Sequence, residues 1–333
     1  MFSEIKSKWF PEFKRELPRA DGKVYVVTGT SSLSGTGFKA AETVLDKGGV
    51  VVMLNRPSSR ADEALQRLRS DFGDRVHAVD CDLQSFDSVR SAAEKVKAQF
   101  PEVHCLANNA AIMGAPDEAT KDGYDVQMQT NYLSHFLLTK ELFPCLLAGA
   151  SKWKENSRVV NHSALAAEWL AKLDPANLGK NGGNLGGNEG ANMKGPRFDR
   201  YIQSKLANKV FTQCLADRIE AAELPVTTVS AHPGVCTTGL GDNALKEGRM
   251  SSTVTYLMSF IMQSSEDGSM GLLSGMLSPD ITARNMYGPK RWWTLSMSGP
   301  AVAVPPEKNE TDPANKELLW EASEKAIGEI FSL

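Results

Sequence analysis

Tyr201 and Lys205 are the residues whose types and spacing point most directly to chemistry in this chain of 333 residues. They stand four positions apart in RYIQSKLANKVFTQCLADRIEAA, a segment whose pattern predicts a helix, so their side chains would share one helix face. A nearby ammonium group stabilises a phenolate and lowers the pKa of a tyrosine from about 10. The pair therefore predicts a tyrosine that exchanges a proton near neutral pH.

A glycine-rich turn predicts a phosphate site. The run TGTSSLSGTG, residues 28–37, lies between an apolar strand candidate and a helical pattern. Glycines there permit a tight turn and let backbone amides at a helix N-terminus approach a pyrophosphate. The candidate contacts in this turn are Gly29, Ser34, Gly35 and Gly37.

The end of the second strand candidate bears on the choice of cofactor. It carries Asn55 and Arg56, and no Asp or Glu occupies this end. A site that prefers NAD usually places an acidic side chain there for the ribose 2′-hydroxyl, whereas an arginine can pair with a 2′-phosphate. We therefore expect NADP(H) as the cofactor, against the alternative that Arg56 is only a solvated loop residue.

The elements that must position these residues alternate along the chain. Six short β-rich runs, the first KVYVVTG and the last PVTTVSAHPG, are separated by helical patterns. Strands that are continuously apolar and followed by helices indicate a parallel sheet covered on both faces. The predicted fold class is therefore α/β, a doubly wound parallel sheet (Rossmann fold) in a single three-layer α/β/α domain.

The organisation of the chain follows from this pattern. We expect an N-terminal leader over residues 1–22 and a single domain over residues 23–333. A Gly- and Asn-rich insertion at 174–196 would be either a cover for the substrate or a tolerated surface loop. Residues 240–333 would form a substrate and lid region. Four interpretations of its apolar segment SSTVTYLMSFIMQSS stay open: a lid, a dimer face, a membrane-interface patch and ordinary core packing.

Composition argues against several classes of partner. The formal net charge of −3 gives no basic excess for nucleic acid. The five cysteines and five histidines lack metal-ligand spacing, so no metal is expected, and the scattered cysteines favour a reducing compartment. No window approaches the roughly 18–20 apolar residues of a membrane span. We expect a cytoplasmic protein, with a plastid or membrane-peripheral location and a homodimer left open.

Taken together, the motifs resemble those of the short-chain dehydrogenase/reductase family over about residues 23–287, and most closely its retinol-dehydrogenase-like branch. The resemblance implies an NADP(H)-dependent oxidoreductase that interconverts an alcohol and a carbonyl on a lipophilic substrate, with the hydride carried by the cofactor. It rests on NNA from Asn108, on Asp82 and Leu83, and on TNYLSHFLLT, RVVNHSALAA, YIQSK and HPGVCTTGL.

The resemblance also implies roles for individual residues. Tyr201 would exchange the proton with the substrate oxygen, Lys205 would bind the nicotinamide ribose and lower the pKa of the tyrosine, and Asn131 would hold a water of the proton relay. Further cofactor contacts would come from Asp82, Leu83, Asn109 and Ala110 towards the adenine side, and from Pro233, Gly234, Val235 and Thr238 beside the nicotinamide.

The chain departs from the family pattern at the end of the fifth strand candidate. Similar proteins usually have VNVSS there, and the second serine is catalytic. Here that second position aligns with Ala164, which leaves Ser163 beside it. Either Ser163 takes the role through the local register, or that hydrogen bond is absent. In addition, two extra residues separate Gly29 from Gly35, and Ala111 replaces a usual glycine.

Two alternatives stay open at this point. Light-dependent protochlorophyllide reductase also resembles the chain at TNxLxHFLL, YxxSK and TTGL, but it usually carries a cysteine directly after the Pro-Gly turn. Here Val235 holds that place and Cys236 comes one position later. The second alternative is a non-catalytic dinucleotide-binding sensor or scaffold, which the lengthened glycine turn and Ala164 would suit.

Overall fold

Eight strands form one sheet in the computed structural model, which describes residues 5–190, 193–237, 262–289 and 297–333. Their order is β3-β2-β1-β4-β5-β6-β7-β8, and all neighbours are parallel except β7 and β8. The predicted doubly wound sheet is confirmed. The strands are β1 Val24–Thr28, β2 Val50–Asn55, β3 Val76–Asp80, β4 Cys105–Asn108, β5 Ser157–His162, β6 Val226–Ala231, β7 Met286–Pro289 and β8 Ala301–Val304.

Helices cover both faces of the sheet. One buried cluster contains Val26 and Val159, and the other contains their chain neighbours Val27 and Val160. Successive strand residues therefore enter opposite cores, which explains why the strands are continuously apolar. The described helices are α1 Phe10–Glu16, α2 Thr36–Asp46, α3 Ser59–Phe72, α4 Phe86–Gln99, α5 Val126–Met128, α6 Ser134–Trp153, α7 Pro196–Ala221, α8 Ser265–Leu277, α9 Lys308–Thr311 and α10 Pro313–Ile327.

Local signals set the ends of several helices. The Ser58 hydroxyl accepts a hydrogen bond from the Ala61 amide at the start of α3, and Gly73 ends that helix with a φ of 59°. The long helical segment before β5 begins at Val126 and contains a π-helical turn over Gln129–Leu133. That turn carries Asn131.

The N-terminal residues pack against α8. The buried Asp267 carboxylate accepts hydrogen bonds from the backbone amides of Lys8, Trp9 and Phe10 at 2.9, 3.0 and 2.9 Å. These amides precede or begin α1, where a carboxylate is favourable because the first turn has unpaired N–H groups. Residues 8–10 are therefore hydrogen-bonded to α8.

The described part of the Gly- and Asn-rich insertion lies against the loop before α5. The Asp117 carboxylate accepts hydrogen bonds from the Leu185 and Gly187 amides at 2.9 and 2.8 Å. The guanidinium of Arg200, next to Tyr201 on α7, donates to the Gly187 carbonyl at 3.1 Å and lies 3.2 Å from the buried Asp125 carboxylate. The insertion is thus fastened to the helix that carries the Tyr201–Lys205 pair.

Two further sequence predictions concern the apolar segment after residue 250 and the lack of a membrane span. Nearly all of the apolar segment SSTVTYLMSFIMQSS, at residues 251–265, lies outside the described residues. Within the described ranges, each helix is too short or too polar to span a bilayer.

Candidate active site

A cleft of about 310 Å³ opens at the carboxyl ends of β1, β2, β4 and β5. β1 is the first strand of the chain and lies between β2 and β4, so the strand order reverses at this point, where doubly wound sheets bind ligands. The predicted residues that line the cleft are Gly29, Gly35, Gly37, Asn55, Arg56, Asp82, Leu83, Asn109, Ala110, Ser163, Tyr201, Lys205 and Pro233.

The remaining predicted site residues lie elsewhere. Ser34, Asn131, Gly234 and Val235 are not among the lining residues, and Thr238 lies outside the described residues. The cleft also has lining residues that the sequence interpretation did not select. They include Ser31, Ser32, Thr36, Ser58, Arg60, Gln84, Ala111, Ile112, Thr130 and His162.

The glycine turn packs too closely for side chains. Gly29 has a φ of +73°, and a Cβ on it would lie 2.6 Å from the Cα of Ala110. A Cβ on Gly37 would lie 2.3 Å from the Asn109 Nδ2 and 2.7 Å from the Gly29 carbonyl oxygen. Gly35 precedes α2 and supplies no capping side chain, so the first amides of α2 are not capped by it. An anion would find unpaired N–H groups there.

Asn109 holds the strand ends of the cleft together. Its Nδ2 donates to the carbonyls of Thr28 and Gly29 at 2.8 and 3.2 Å, which fixes the orientation of the amide. Its Oδ1 therefore accepts, from the Thr36 hydroxyl at 3.2 Å and from the His162 Nδ1 at 2.8 Å. The imidazole thus carries its proton on Nδ1, and burial lowers the pKa of His162 to about 3. His162 is a neutral, structural member of the wall.

Asn55 braces the turn from the β2 side. Its Oδ1 accepts from the Thr30 amide, and its Nδ2 donates to the Thr30 hydroxyl, both at 2.8 Å. The two arginines that follow, Arg56 and Arg60, are exposed at the cleft. Neither guanidinium has an ion pair or hydrogen bond to another residue that the structure describes. Arg60 is the second residue of α3, and the run SSR after the strand was the signal that could have revealed it.

Tyr201 and Lys205 lie on one face of α7, as the i, i+4 spacing predicts. The ammonium nitrogen of Lys205 is 5.9 Å from the centroid of the Tyr201 ring and donates to the His162 carbonyl at 2.9 Å. Both side chains are buried. Burial lowers the pKa of Lys205 to about 7, and among the described residues no carboxylate compensates its charge.

The acidity of Tyr201 differs from the sequence expectation. Burial raises the pKa of its hydroxyl above the ordinary value of 10, and the Cys236 thiol adds to the effect. The net shift is therefore opposite to the expected lowering, because the desolvation of a buried phenolate is the largest contribution. At neutral pH Tyr201 is therefore a protonated phenol, which can donate a proton.

The hydroxyl of Ser163 is directed to the helix backbone. It donates to the carbonyl of Lys205 at 2.6 Å, and the Ser163 amide donates to the Ala231 carbonyl at 2.7 Å. Ala164 packs instead against the apolar cluster that contains Tyr201. Ser163 therefore fastens the end of β5 to α7.

Asn131 lies behind the cleft wall in the π-helical turn. Its Oδ1 accepts from the Ile112 amide at 2.8 Å, and its Nδ2 donates to the Ile112 carbonyl and the Ser204 hydroxyl, both at 2.9 Å. Its carbonyl accepts from the His135 Nδ1 at 3.0 Å. Asn131 therefore joins α7 to the loop that follows β4. In the described ranges, no cluster of three or more His, Cys, Asp or Glu residues could hold a metal ion.

Comparisons with known proteins agree with this geometry. The model of the family described as short chain dehydrogenase matches residues 23–171. A short-chain dehydrogenase/reductase from Armillaria gallica is 30% identical over 95% of this chain and 93% of its own. Retinol dehydrogenase 13 from Mus musculus is 35% identical over 66% of this chain and 60% of its own. A solved structure of an uncharacterised protein from Mycobacterium paratuberculosis has a TM-score of 0.72 and 27% identity, over 96% of this chain and 98% of that one.

The chain is thus an oxidoreductase with a Rossmann-type sheet, a glycine turn and a buried tyrosine–lysine pair. It is a member of the short-chain dehydrogenase/reductase family. Within that family it is similar to retinol dehydrogenase 13.

Proposed function

We propose that the chain interconverts an alcohol and a carbonyl with NADP(H), and that Tyr201 exchanges the proton. The observation that carries the proposal is that Tyr201 and Lys205 open on the same cleft as the glycine turn and Arg56. A dinucleotide seated on the turn would thus reach from the two arginines to the phenol. The bound cofactor would supply or accept the hydride.

The described residues suit a phosphorylated dinucleotide. Gly29 and Gly37 let the turn pack closely against Ala110 and Asn109, and the first turn of α2 offers amide donors for the pyrophosphate. Arg56 and Arg60 would bind the 2′-phosphate, because their charges have no acidic partner among the described residues. Asp82, Leu83, Asn109 and Ala110 would line the adenine side, and Pro233 would flank the nicotinamide.

The phenol of Tyr201 would act as the proton donor in the reductive direction. It is protonated at neutral pH, so it can hydrogen-bond to a carbonyl oxygen and pass its proton as the alcohol forms. The charged form of Lys205 would stabilise the phenolate that remains. Ser163 and Asn131 would be positioning residues, because their hydrogen bonds fix α7 to β5 and to the Ile112 loop.

The surroundings of the phenol favour a lipophilic substrate. Ala164, Ala166 and Ile202 pack around Tyr201, and none of them offers a polar group to the carbon side of a carbonyl compound. Retinol, in the name of the Mus musculus relative, is a lipophilic alcohol. Apolar walls with a few convergent polar groups are typical of sites for such ligands.

A carbonyl panel with both cofactors tests the proposal. We expect NADPH oxidation with lipophilic aldehydes or ketones, slower turnover with NADH, and a loss of the NADPH preference of about tenfold or more in Arg56→Asp. Lys121→Asp, at an exposed position away from the cleft lining, is the matched control. NADPH binding without turnover of any carbonyl compound would contradict the enzymatic proposal. An unchanged cofactor preference in Arg56→Asp would contradict only the role of that residue.

A further inference from the structure

Lys205 is a buried lysine whose positive charge has no anionic partner in the part of the chain that the structure describes. Its Nζ donates to the His162 carbonyl at 2.9 Å, and no described carboxylate pairs with it. The next lysine along α7, Lys209, is also buried but has the Glu310 carboxylate at 2.7 Å. Burial without an anion favours the uncharged amine, because an ammonium group loses more hydration energy than an amine does. Of the two lysines, Lys205 therefore gives up its proton more readily.

The titratable groups around Lys205 do not supply the missing negative charge. Burial lowers the pKa of His162 on β5 to about 3 and that of His135 on α6 to about 4, and the nearby Lys205 contributes to both shifts. Burial raises the pKa of Tyr201, which lies on the same helix. All three side chains are therefore neutral at pH 7. Because burial lowers the pKa of Lys205 to about 7, about half of the molecules carry an uncharged amine at that pH.

Lys205 belongs to the wall of the cleft in which a carbonyl compound would meet Tyr201. Both residues line that cleft, and the Lys205 Nζ lies 5.9 Å from the centroid of the phenol ring. A lysine amine attacks an aldehyde carbon to give an imine, and a neighbouring acid assists the loss of the carbonyl oxygen as water. The cleft of about 310 Å³ therefore holds both groups that imine formation requires.

We propose that Lys205 is a site of reversible covalent reaction with aldehydes when no dinucleotide occupies the cleft. The amine nitrogen attacks the carbonyl carbon, and a proton moves from nitrogen to oxygen to give a carbinolamine. The Tyr201 phenol then protonates the hydroxyl group, which leaves as water, and the nitrogen returns a proton to the phenolate. The products are one imine and one water, and nothing is oxidised or reduced. The reaction needs only the amine and the phenol, so it does not depend on hydride transfer.

Reductive trapping of the imine tests the site. The full chain without cofactor is incubated with hexanal and sodium cyanoborohydride, which reduces the imine to a stable secondary amine, and the initial rate of labelling at each lysine is measured by peptide mass spectrometry. Lys95, which is exposed on α4, is the internal reference. An ordinary lysine loses its proton only near pH 10.4, so the rate at Lys205 should exceed that at Lys95 by about tenfold or more at pH 7. This ratio should fall by about 10²-fold towards pH 9.5, because the amine of Lys205 is already uncharged at the lower pH whereas that of an ordinary lysine is not.

Two comparisons show whether the label reports this site. Lys209 is buried and paired and does not line the cleft, so it should stay unlabelled. Labelling of Lys209 as fast as Lys205 would show that unfolded chains react, and would contradict the proposal. Tyr201→Phe keeps the amine but removes the acid, so labelling of Lys205 should slow by about tenfold or more. An unchanged rate in Tyr201→Phe would refute the part assigned to the phenol.

The outcome for the site is separate from the outcome for the proposed function. If Lys205 reacts no faster than Lys95 at pH 7, or if the ratio does not change with pH, the covalent site is refuted. When the same protein reduces aldehydes with NADPH, the proposed function stands despite that result. If Lys205 is labelled as expected but no carbonyl compound is turned over, the covalent site stands and the proposed function is refuted.

Discussion

Two buried lysines, one turn apart on α7, should respond oppositely to loss of their charge. Lys205 has no carboxylate partner among the described residues, and burial lowers its pKa from 10.5 to about 7. Lys209 is paired with the buried Glu310 carboxylate at 2.7 Å. We therefore expect Lys205→Met to raise the free energy of unfolding near neutral pH and Lys209→Met to lower it.

The magnitude for Lys205 follows from the pKa. Because the folded value lies below the unfolded one, the unfolded chain binds the proton more tightly, and stability rises with pH between about 7 and 10.5. The full cost of charging the buried ammonium, about 5 kcal/mol, is present below pH 7. When the Lys205 ammonium is removed, the His162 carbonyl still accepts a hydrogen bond from the Asn208 Nδ2 at 3.3 Å. The free energy of unfolding of Lys205→Met should therefore exceed that of the parent by most of this amount below pH 7.

Urea unfolding from about pH 6 to about pH 9.5 measures this effect. The difference between Lys205→Met and the parent should be several kcal/mol in favour of the variant at low pH and should shrink towards zero as the pH rises. Lys209→Met should be destabilised by about 3–5 kcal/mol, because it leaves the Glu310 carboxylate buried and unpaired. A stability difference for Lys205→Met that does not vary with pH would refute the assignment of an uncompensated buried ammonium.

Two further substitutions test the glycine turn and the Gly- and Asn-rich insertion. Gly37→Ala should weaken NADPH binding by about tenfold or more and lower the free energy of unfolding by about 1–3 kcal/mol, since its Cβ would lie 2.3 Å from the Asn109 Nδ2. Gly179→Ala, at a position with open space around it, is the control. Equal effects of the two substitutions in calorimetric titration and thermal unfolding would contradict the role of the glycine turn in binding. Asp117→Ala should speed amide hydrogen exchange at Leu185 and Gly187 by about tenfold or more, because it removes their acceptor. Unchanged exchange would show that other contacts hold the insertion.

Most of the first six strands were predictable because both of their faces are buried, so that their sequences are apolar runs that end at a turn signal. The exception is β3, an edge strand whose residues are only partly buried. The last two strands gave no such signal. β7 is only four residues long and contains Gly288 and Pro289, and β8 is a partly exposed antiparallel edge strand that pairs only with β7. Strand pairing with residues distant in sequence decides such segments.

Helix α8 was not predicted, and its glycines explain why. All residues from Asp267 to Leu277 are buried, so the sequence lacks the polar face that marks an amphipathic helix. Gly271 and Gly275 would be poor choices for an isolated helix. They are needed here because a Cβ at Gly271 would lie 2.4 Å from the Tyr287 carbonyl and one at Gly275 would lie 2.8 Å from Val160. Close packing on the sheet overrides propensity.

Much of the cleft was predictable because its residues belong to local motifs at strand ends. The i, i+4 spacing is enough to place Tyr201 and Lys205 together. The contacts of a side chain with distant residues are not encoded in that way. The Ser163 hydroxyl turns to the Lys205 carbonyl, and burial rather than a cation governs the pKa of Tyr201. Both results depend on how α7 lies against β5.

The most direct test of the proposed chemistry separates catalysis by Tyr201 from binding of the cofactor. Tyr201→Phe removes only the hydroxyl and keeps the ring that stacks on Phe198. We expect kcat for NADPH-dependent aldehyde reduction to fall by about 10²–10⁴-fold, while the dissociation constant for NADPH changes by less than about twofold. If Tyr201→Phe keeps more than about a tenth of the parent kcat, the phenol is not the proton donor and the central proposal is contradicted.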